Sequence, residues 1–186
     1  FPASILSENH NLFNKHKLLR SMESPRPTKQ ATLCIITQND QILLGMKKRG
    51  FGKGKYNSYG GKPNLYESLE AAMLRELEEE SCLRAEKEEL VKVGEIDFYF
   101  PHKPEFDQTV HIYRVNQFKG NPKETEEMSH RWFDITKIPY ERMWDDDKYW
   151  LPEILDGKKV KGSIVFREVN QENIVHENDL ELVDSL

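Results

Sequence analysis

At 186 residues with a formal charge of −5, the chain has the length of one domain and lacks the basic balance that general nucleic-acid binding requires. No apolar run reaches the length of a membrane span, so no membrane partner is expected. Its only cysteines, Cys34 and Cys82, give neither a disulfide framework nor a metal-type pairing. They fit a reduced intracellular setting, cytoplasmic or alternatively mitochondrial or nuclear.

Residues 1–30 lack strong periodicity and carry the punctuation Pro25-Arg26-Pro27, so a flexible or processed extension is expected ahead of one domain from 31 to 186. Lys15, Lys17 and Arg20 lend it a presequence-like basic bias, which Glu8, Glu23 and a poor amphipathic pattern oppose. Ala31 to Thr37 and Gln41 to Met46 are β-prone runs around Asn39-Asp40, a hairpin signal. Lys47 to Lys62 then breaks every periodicity with five glycines, six basic residues and no acid, which predicts a loop with backbone freedom and a positive field. Ser68 is placed to cap a helix running to about Ser81, with Glu70 in its first turn. Gly94 to Phe100 and Thr109 to Val115 read as paired strands, and Arg131 to Ile135 as another. A second helix from Asp147 to Leu155 is closed by Gly157, and Ile164 to Val169 is a last clear strand. After Gln171 the acidic tail adds a strand at Ile174 or frays. Together these elements predict an α/β fold, a mixed β-sheet between helices.

The first helix carries an anomaly. At about 100° per residue, Leu69, Ala72, Met73 and Leu77 form one apolar stripe, and Glu76, Glu79 and Glu80 fall within it. Carboxylates on a core-facing arc are costly unless something positive compensates them. Their i, i+3, i+4 spacing converges them on one patch, and oxygen-only ligands suit a hard cation, Mg²⁺ or alternatively Mn²⁺. The adjacent loop supplies Lys47, Lys53, Lys55 and Lys62 together with glycines whose backbone N–H groups can approach phosphate oxygens. Taken alone, that loop reads as a basic surface patch or a localisation signal. Beside the carboxylates, it describes a site for polyphosphate.

Gly61, Glu67, Arg75, Glu76, Leu77, Glu79, Glu80 and Leu83 match the Nudix box, G-x5-E-x7-R-E-U-x-E-E-x-G-U with U aliphatic, at every defined position but one. Cys82 stands where the box has a glycine in a left-handed helix cap, a substitution expected to cost about 1 kcal/mol and to put the helix end in doubt. The chain therefore resembles the Nudix hydrolases. From about Thr32 to Val169 it is similar to the animal MutT-like branch that sanitises the nucleotide pool, through LLGMKKRGFG, KVGEI and WDDDKYW. The resemblance implies an α/β/α sandwich and Mg²⁺-dependent hydrolysis of oxidised purine nucleoside triphosphates, such as 8-oxo-dGTP and 2-hydroxy-dATP, to monophosphate and pyrophosphate. The implied partner is a free purine nucleoside triphosphate, with no stable nucleic-acid binding and a monomeric chain.

Residue roles follow from the same resemblance. Glu76, Glu79 and Glu80 would hold the metal with the Gly60 carbonyl, Arg75 would position the carboxylates, and Glu67 would brace the loop. Glu127 would be an auxiliary ligand or base, and either Glu80 or Glu127 would orient the attacking water. Attack at the β-phosphorus is the subsidiary expectation. The candidates for holding substrate are Lys47, Gly60, Gly61 and Lys62 for the phosphates, with Thr32, Phe51, Asn57, Tyr59, Phe98, Trp144, Asp145, Asp146, Asp147 and Trp150 around the base. Any single aromatic there is more often core than ligand. Asp145-Asp146-Asp147 between tryptophans is harder to dismiss, because adjacent carboxylates repel unless one is protonated or paired. A protonated and an ionised aspartate side by side offer a donor and an acceptor to a base edge; the plainer alternative is helix capping by Asp147 with solvated neighbours. Departures from the resembled enzymes at Tyr56, Tyr59, Gln108 and Asp145 could retune base preference. Two other readings stay open: a Nudix pyrophosphohydrolase of unmodified or methylated purine nucleotides or of nucleoside diphosphate-sugars, and a non-catalytic module binding nucleotide or RNA.

Overall fold

The computed structural model describes residues 25–50, 52–169 and 171–186. The expectations placed on residues 1–24 and on Phe51 lie outside the described residues. No helix in the described part is long and apolar enough to cross a membrane.

Asn39 and Asp40 both take positive φ, 49° and 58°, the backbone of a two-residue hairpin turn that short polar side chains tolerate. The turn sets strand β1 (Gln30–Gln38) against β2 (Gln41–Lys47), with Ile36 opposite Leu43. Beyond Ile36 the strands part. On the edge that β1 has left, β2 pairs with β3 (Tyr56–Asn57), while β6 (Met128–Asp134) runs along the whole of its other edge. β1 meets the segment after β3 instead: Cys34 N–H donates to the Tyr59 carbonyl at 2.6 Å and Thr32 N–H to the Gly61 carbonyl at 2.8 Å. The glycine segment is thus wedged into a fork in the sheet.

The remaining strands build outward from β1. β5 (Gln108–Val115) lies parallel to it, β4 (Val91–Tyr99) antiparallel to β5, and β7 (Lys159–Val169) parallel to β4. β8 (Glu172–Val183) forms the far edge, antiparallel to β7. Strand alternation sorts the side chains between two layers. Cys34, Ile36, Leu43, Tyr113 and Val115 pack with Met73 and Leu77 of helix α1 (Leu69–Ser81). Ile35, Ile42, Leu44, Ile96 and Ile112 pack with Trp150, Leu151 and Ile154 of helix α2 (Asp147–Leu155). The result is the expected α/β/α sandwich.

α1 begins where Ser68 Oγ accepts the Ala71 N–H at 3.2 Å. It ends at Cys82, which takes the left-handed cap (φ 62°, ψ 16°) and donates its N–H to the Glu78 carbonyl. The cysteine keeps the geometry that a glycine would adopt without strain. Replacing Cys82 with glycine is expected to stabilise the fold by about 1 kcal/mol, a rise of roughly 2–4 °C in Tm for a chain of this size. An unchanged or lower Tm in calorimetry would show that the cap is unstrained.

The apolar arc of α1 holds its three acids unequally. Glu80 is buried, Glu76 is nearly so with its side chain 17% exposed, and Glu79 is 59% exposed. Glu79 lies about 95° from the centre of the stripe, at its rim rather than inside it.

The tail is more ordered than its charge pattern predicts. Gln171 takes φ 68° in the turn, and β8 then runs for twelve residues. Its exposed Glu172, Glu177, Asp179 and Glu181 obscured the alternation, and such charges also discourage further strands from pairing at an edge. In the described part of the N-terminal extension, Arg26 Nε bonds to Asp97 at 3.3 Å, and the Lys29 carbonyl accepts the Thr109 N–H at 2.9 Å.

Candidate active site

Two glycines at the fork carry two of the three acids. Gly60 has φ 156°, and a Cβ there would lie 2.0 Å from the Thr32 carbonyl oxygen. Only glycine lets the chain pass, and the passage aims the Gly60 N–H at Glu80 Oε2, 2.9 Å away. A Cβ on Gly61 would sit 2.4 Å from Glu76 Oε1. Gly61→Ala is therefore expected to displace the Glu76 carboxylate and lower kcat by about tenfold or more while the sheet still forms, a displacement of the kind that costs rate without unfolding. Turnover within twofold of wild type would contradict that contact.

Arg75 organises the opposite side. Its Nε and Nη2 grip both oxygens of Glu67 at 2.9 and 3.0 Å, its Nη1 donates to Glu76 at 2.8 Å and Glu79 at 3.0 Å, and Nη2 also reaches the Lys62 carbonyl at 3.2 Å. This fork-to-carboxylate geometry is what only an arginine supplies. Those bonds raise the guanidinium above its ordinary range, the Glu67 bond foremost, and in turn hold Glu67 below the usual carboxylate range.

Glu80 differs from its neighbours. It makes no ion pair with a described residue, and burial pushes it up to about 7. The Gly60 N–H and Lys47 oppose that rise, while Glu76 and Glu127 add to it. Glu127 approaches from the loop before β6: Arg49 Nη2 donates to it at 2.6 Å, and its own carbonyl accepts the Lys48 N–H at 2.8 Å. Arg49 holds its carboxyl below the usual range. The Arg49–Glu127 pair was not legible in the sequence, because one charge among six in the basic loop carries no mark of its partner.

A second group forms ahead of α2. Asp146 and Asp147 are both buried. Asp146 Oδ2 accepts the Trp150 indole N–H at 2.8 Å, and Asp147 Oδ2 accepts the Trp144 backbone N–H at 3.0 Å. Burial drives both carboxyls upward, and Asp147 is raised further by the neighbouring Asp146 charge. Asp147 makes no capping bond for α2; the helix starts without a side-chain cap. The basic loop folds over this turn, with Lys55 Nζ donating to the Met143 carbonyl at 3.2 Å and standing 5.6 Å from the centre of the Trp144 ring. Gly52 lies against the same ring, where a Cβ would meet Trp144 Cζ2 at 3.1 Å. The sequence predicts Lys55 as a phosphate-facing charge, and nothing local to it signals its place beside Trp144.

The other expected base-site residues each have partners of their own. Trp150 is core, with only its N–H serving Asp146. Phe98 is core too, stacked 6.0 Å from Phe166. Tyr59 falls on the α1 face by strand alternation, fully buried, with its hydroxyl 2.8 Å from His130 Nδ1. Asp145 engages Lys148 through Oδ1 and the Val175 N–H through Oδ2. Thr32 donates its hydroxyl to the Gly61 carbonyl at 3.2 Å, and Asn57 Oδ1 accepts the Ser58 N–H. Lys47 is half-buried near Glu80 and Glu127, and Lys62 is exposed at the rim by Arg75.

With this geometry in place, residues 27–154 match the NUDIX domain. The chain belongs to the Nudix family. It is 42% identical over 159 residues to the oxidized purine nucleoside triphosphate hydrolase of Danio rerio, covering 86% of this chain and 98% of that one. It is 44% identical over 137 residues to the enzyme of the same name from Mus musculus, covering 74% and 86%. Among solved structures, the MutT protein of Bacillus halodurans superposes with a TM-score of 0.67 at 21% identity, covering 82% of this chain and 97% of that one, which shows a shared fold. A Nudix hydrolase acts on nucleotides and generally uses a divalent metal.

The residues present fit such a cation. Among the described residues no three acidic, imidazole or thiol groups already close on one point: Glu76 and Glu79 lean on Arg75, and Glu80 on Gly60. Yet Glu80 is a buried carboxyl with no ion pair among the described residues, and the charges of Glu76 and Glu127 that bear on it are carboxylates too, the oxygen ligands that a hard divalent ion takes.

Proposed function

We propose that this chain hydrolyses oxidised purine nucleoside triphosphates, such as 8-oxo-dGTP and 2-hydroxy-dATP, to monophosphate and pyrophosphate, acting as a monomer on free nucleotide. The observation that carries the base choice is the pair of buried, adjacent carboxyls beside Trp144. Two such groups at close range do not both ionise, so near neutral pH they share a proton. One then donates and the other accepts, an edge that suits an oxidised purine better than an unmodified one. The names of the Danio rerio and Mus musculus relatives point the same way.

Glu76, Glu79 and Glu80, with Glu127 and the Gly60 carbonyl, would hold Mg²⁺, or Mn²⁺ in its place. When bound, that ion neutralises charge developing on the transferring phosphoryl group. Arg75 fixes the carboxylate side chains before substrate arrives. Lys47 and the loop lysines attract the triphosphate, and the glycines let backbone N–H groups come close to it. Either Glu80 or Glu127 accepts the proton of the attacking water. Trp144 stacks on the base and Lys55 orients its ring.

Product analysis tests the reaction class. With 8-oxo-dGTP and Mg²⁺, chromatography is expected to show the monophosphate and pyrophosphate in equal amounts. Release of a nucleoside diphosphate and inorganic phosphate would overturn the reading.

A further inference from the structure

His130 sits on β6 opposite Gly45 of β2, and both of its ring nitrogens are engaged. Nε2 lies 2.7 Å from the Lys123 carbonyl, which can only accept. That contact places the proton on Nε2 and leaves Nδ1 as the acceptor for the Tyr59 hydroxyl at 2.8 Å. Burial, the largest influence on the ring, favours the neutral imidazole that this pattern requires. Gly45 leaves room for the Tyr59 ring, since a Cβ there would lie 3.2 Å from Tyr59 Cε1 and 2.8 Å from Met128 Sδ.

The relay joins two otherwise separate loops. Tyr59 immediately precedes Gly60, which holds Glu80. Lys123 begins the loop that delivers Glu127 to Lys48, and its N–H also donates to the Ser81 carbonyl at the end of α1, 3.1 Å away. The hydrogen bonds therefore run from the Glu80 side to the Glu127 side through one imidazole. We propose that His130, bonded to Tyr59 and to the Lys123 carbonyl, is a positioning residue that sets the separation of the Gly60–Glu80 and Glu127 sides of the cation site. This rests on the metal-dependent reading above. It assigns His130 no contact with substrate.

The test is Mn²⁺ binding to the nucleotide-free protein, followed by electron paramagnetic resonance, for wild type, Tyr59→Phe, His130→Ala and the double variant. Each single variant is expected to raise the dissociation constant about fivefold or more, and the double variant to be no worse than the weaker single one, because both cut the same chain. The KM for nucleotide at saturating metal should stay within twofold. Tyr59→Phe removes one buried oxygen and keeps the ring, so it carries the test even where His130→Ala fails to fold. Unchanged Mn²⁺ affinity in folded Tyr59→Phe, or losses that multiply in the double variant, would overturn the proposal. No nucleotide is present, so a protein that binds Mn²⁺ as described yet fails to cleave oxidised triphosphates refutes the substrate reading alone.

Discussion

Glu80→Gln is expected to lower kcat by at least ~10²-fold and, in the metal-free protein at pH 8, to raise stability. The two effects have one origin. Folding moves this carboxyl from an ordinary 4.5 up to about 7, so the native state favours its protonated form. Below pH 4.5 the group is neutral in both states and costs nothing. Between pH 4.5 and 7 the unfolded chain gives up this proton while the native state keeps it, so a penalty builds that reaches its full size, on the order of 3 kcal/mol, above 7. Glutamine cannot ionise, and its amide oxygen can still accept the Gly60 N–H. The variant should therefore match wild type near pH 4.5 and exceed it by several degrees in Tm at pH 8. Divalent cation should reverse the order by stabilising wild type alone. Calorimetry with and without metal reads all of this. A variant less stable than wild type at pH 8 without metal would mean that Glu80 braces the fold, and near-normal turnover would refute its role in the reaction.

Asp147→Asn is expected to reduce the preference for oxidised over unmodified purine triphosphates by about 10- to 100-fold in kcat/KM, with kcat on dGTP changed little. The geometry makes the substitution clean. An asparagine oxygen can still accept the Trp144 N–H, so the turn ahead of α2 should hold. What disappears is the shared proton. The Asp146 charge that helped raise Asp147 then faces an amide whose nitrogen can only donate, so the donor and acceptor roles of the pair are fixed and can no longer switch to match an oxidised base. Steady-state kinetics on matched nucleotides decides it: equal losses on every triphosphate would place Asp147 in general folding or phosphate chemistry rather than in base choice.

How far the sequence spoke depended on how local the physics is. The α1 start was legible in Ser68, Glu70 and the apolar spacing, which act within a few turns, and its end at about Ser81 holds although Cys82 replaces the expected glycine. The same holds for Asn39-Asp40, whose backbone preference needs no tertiary partner. The fork between β1 and β2 was not legible, because it arises when the Tyr59–Gly61 segment displaces β2 from β1, and no period in the sequence records that. Tyr59, Phe98 and Trp150 are core side chains, and their placement was not legible for a related reason. An aromatic side chain announces burial but not which face of the sheet it occupies. Asp145, Asp146 and Asp147 stand out in the sequence because adjacent carboxylates repel wherever they occur, and the structure shows Asp146 and Asp147 to be the buried pair. β8 was undervalued because its outer residues are charged.

The central claim, selection of an oxidised purine by a Nudix site, is tested most directly by one kinetic panel. Purified wild-type protein is assayed on dGTP, 8-oxo-dGTP, 2-hydroxy-dATP and a methylated purine triphosphate, each with and without Mg²⁺. The oxidised nucleotides should exceed dGTP in kcat/KM by at least ~10-fold, the scale of one well-formed hydrogen-bonding contact, and all turnover should vanish without the cation. Equal rates on dGTP and the oxidised nucleotides, or the highest rate on the methylated one, would contradict it.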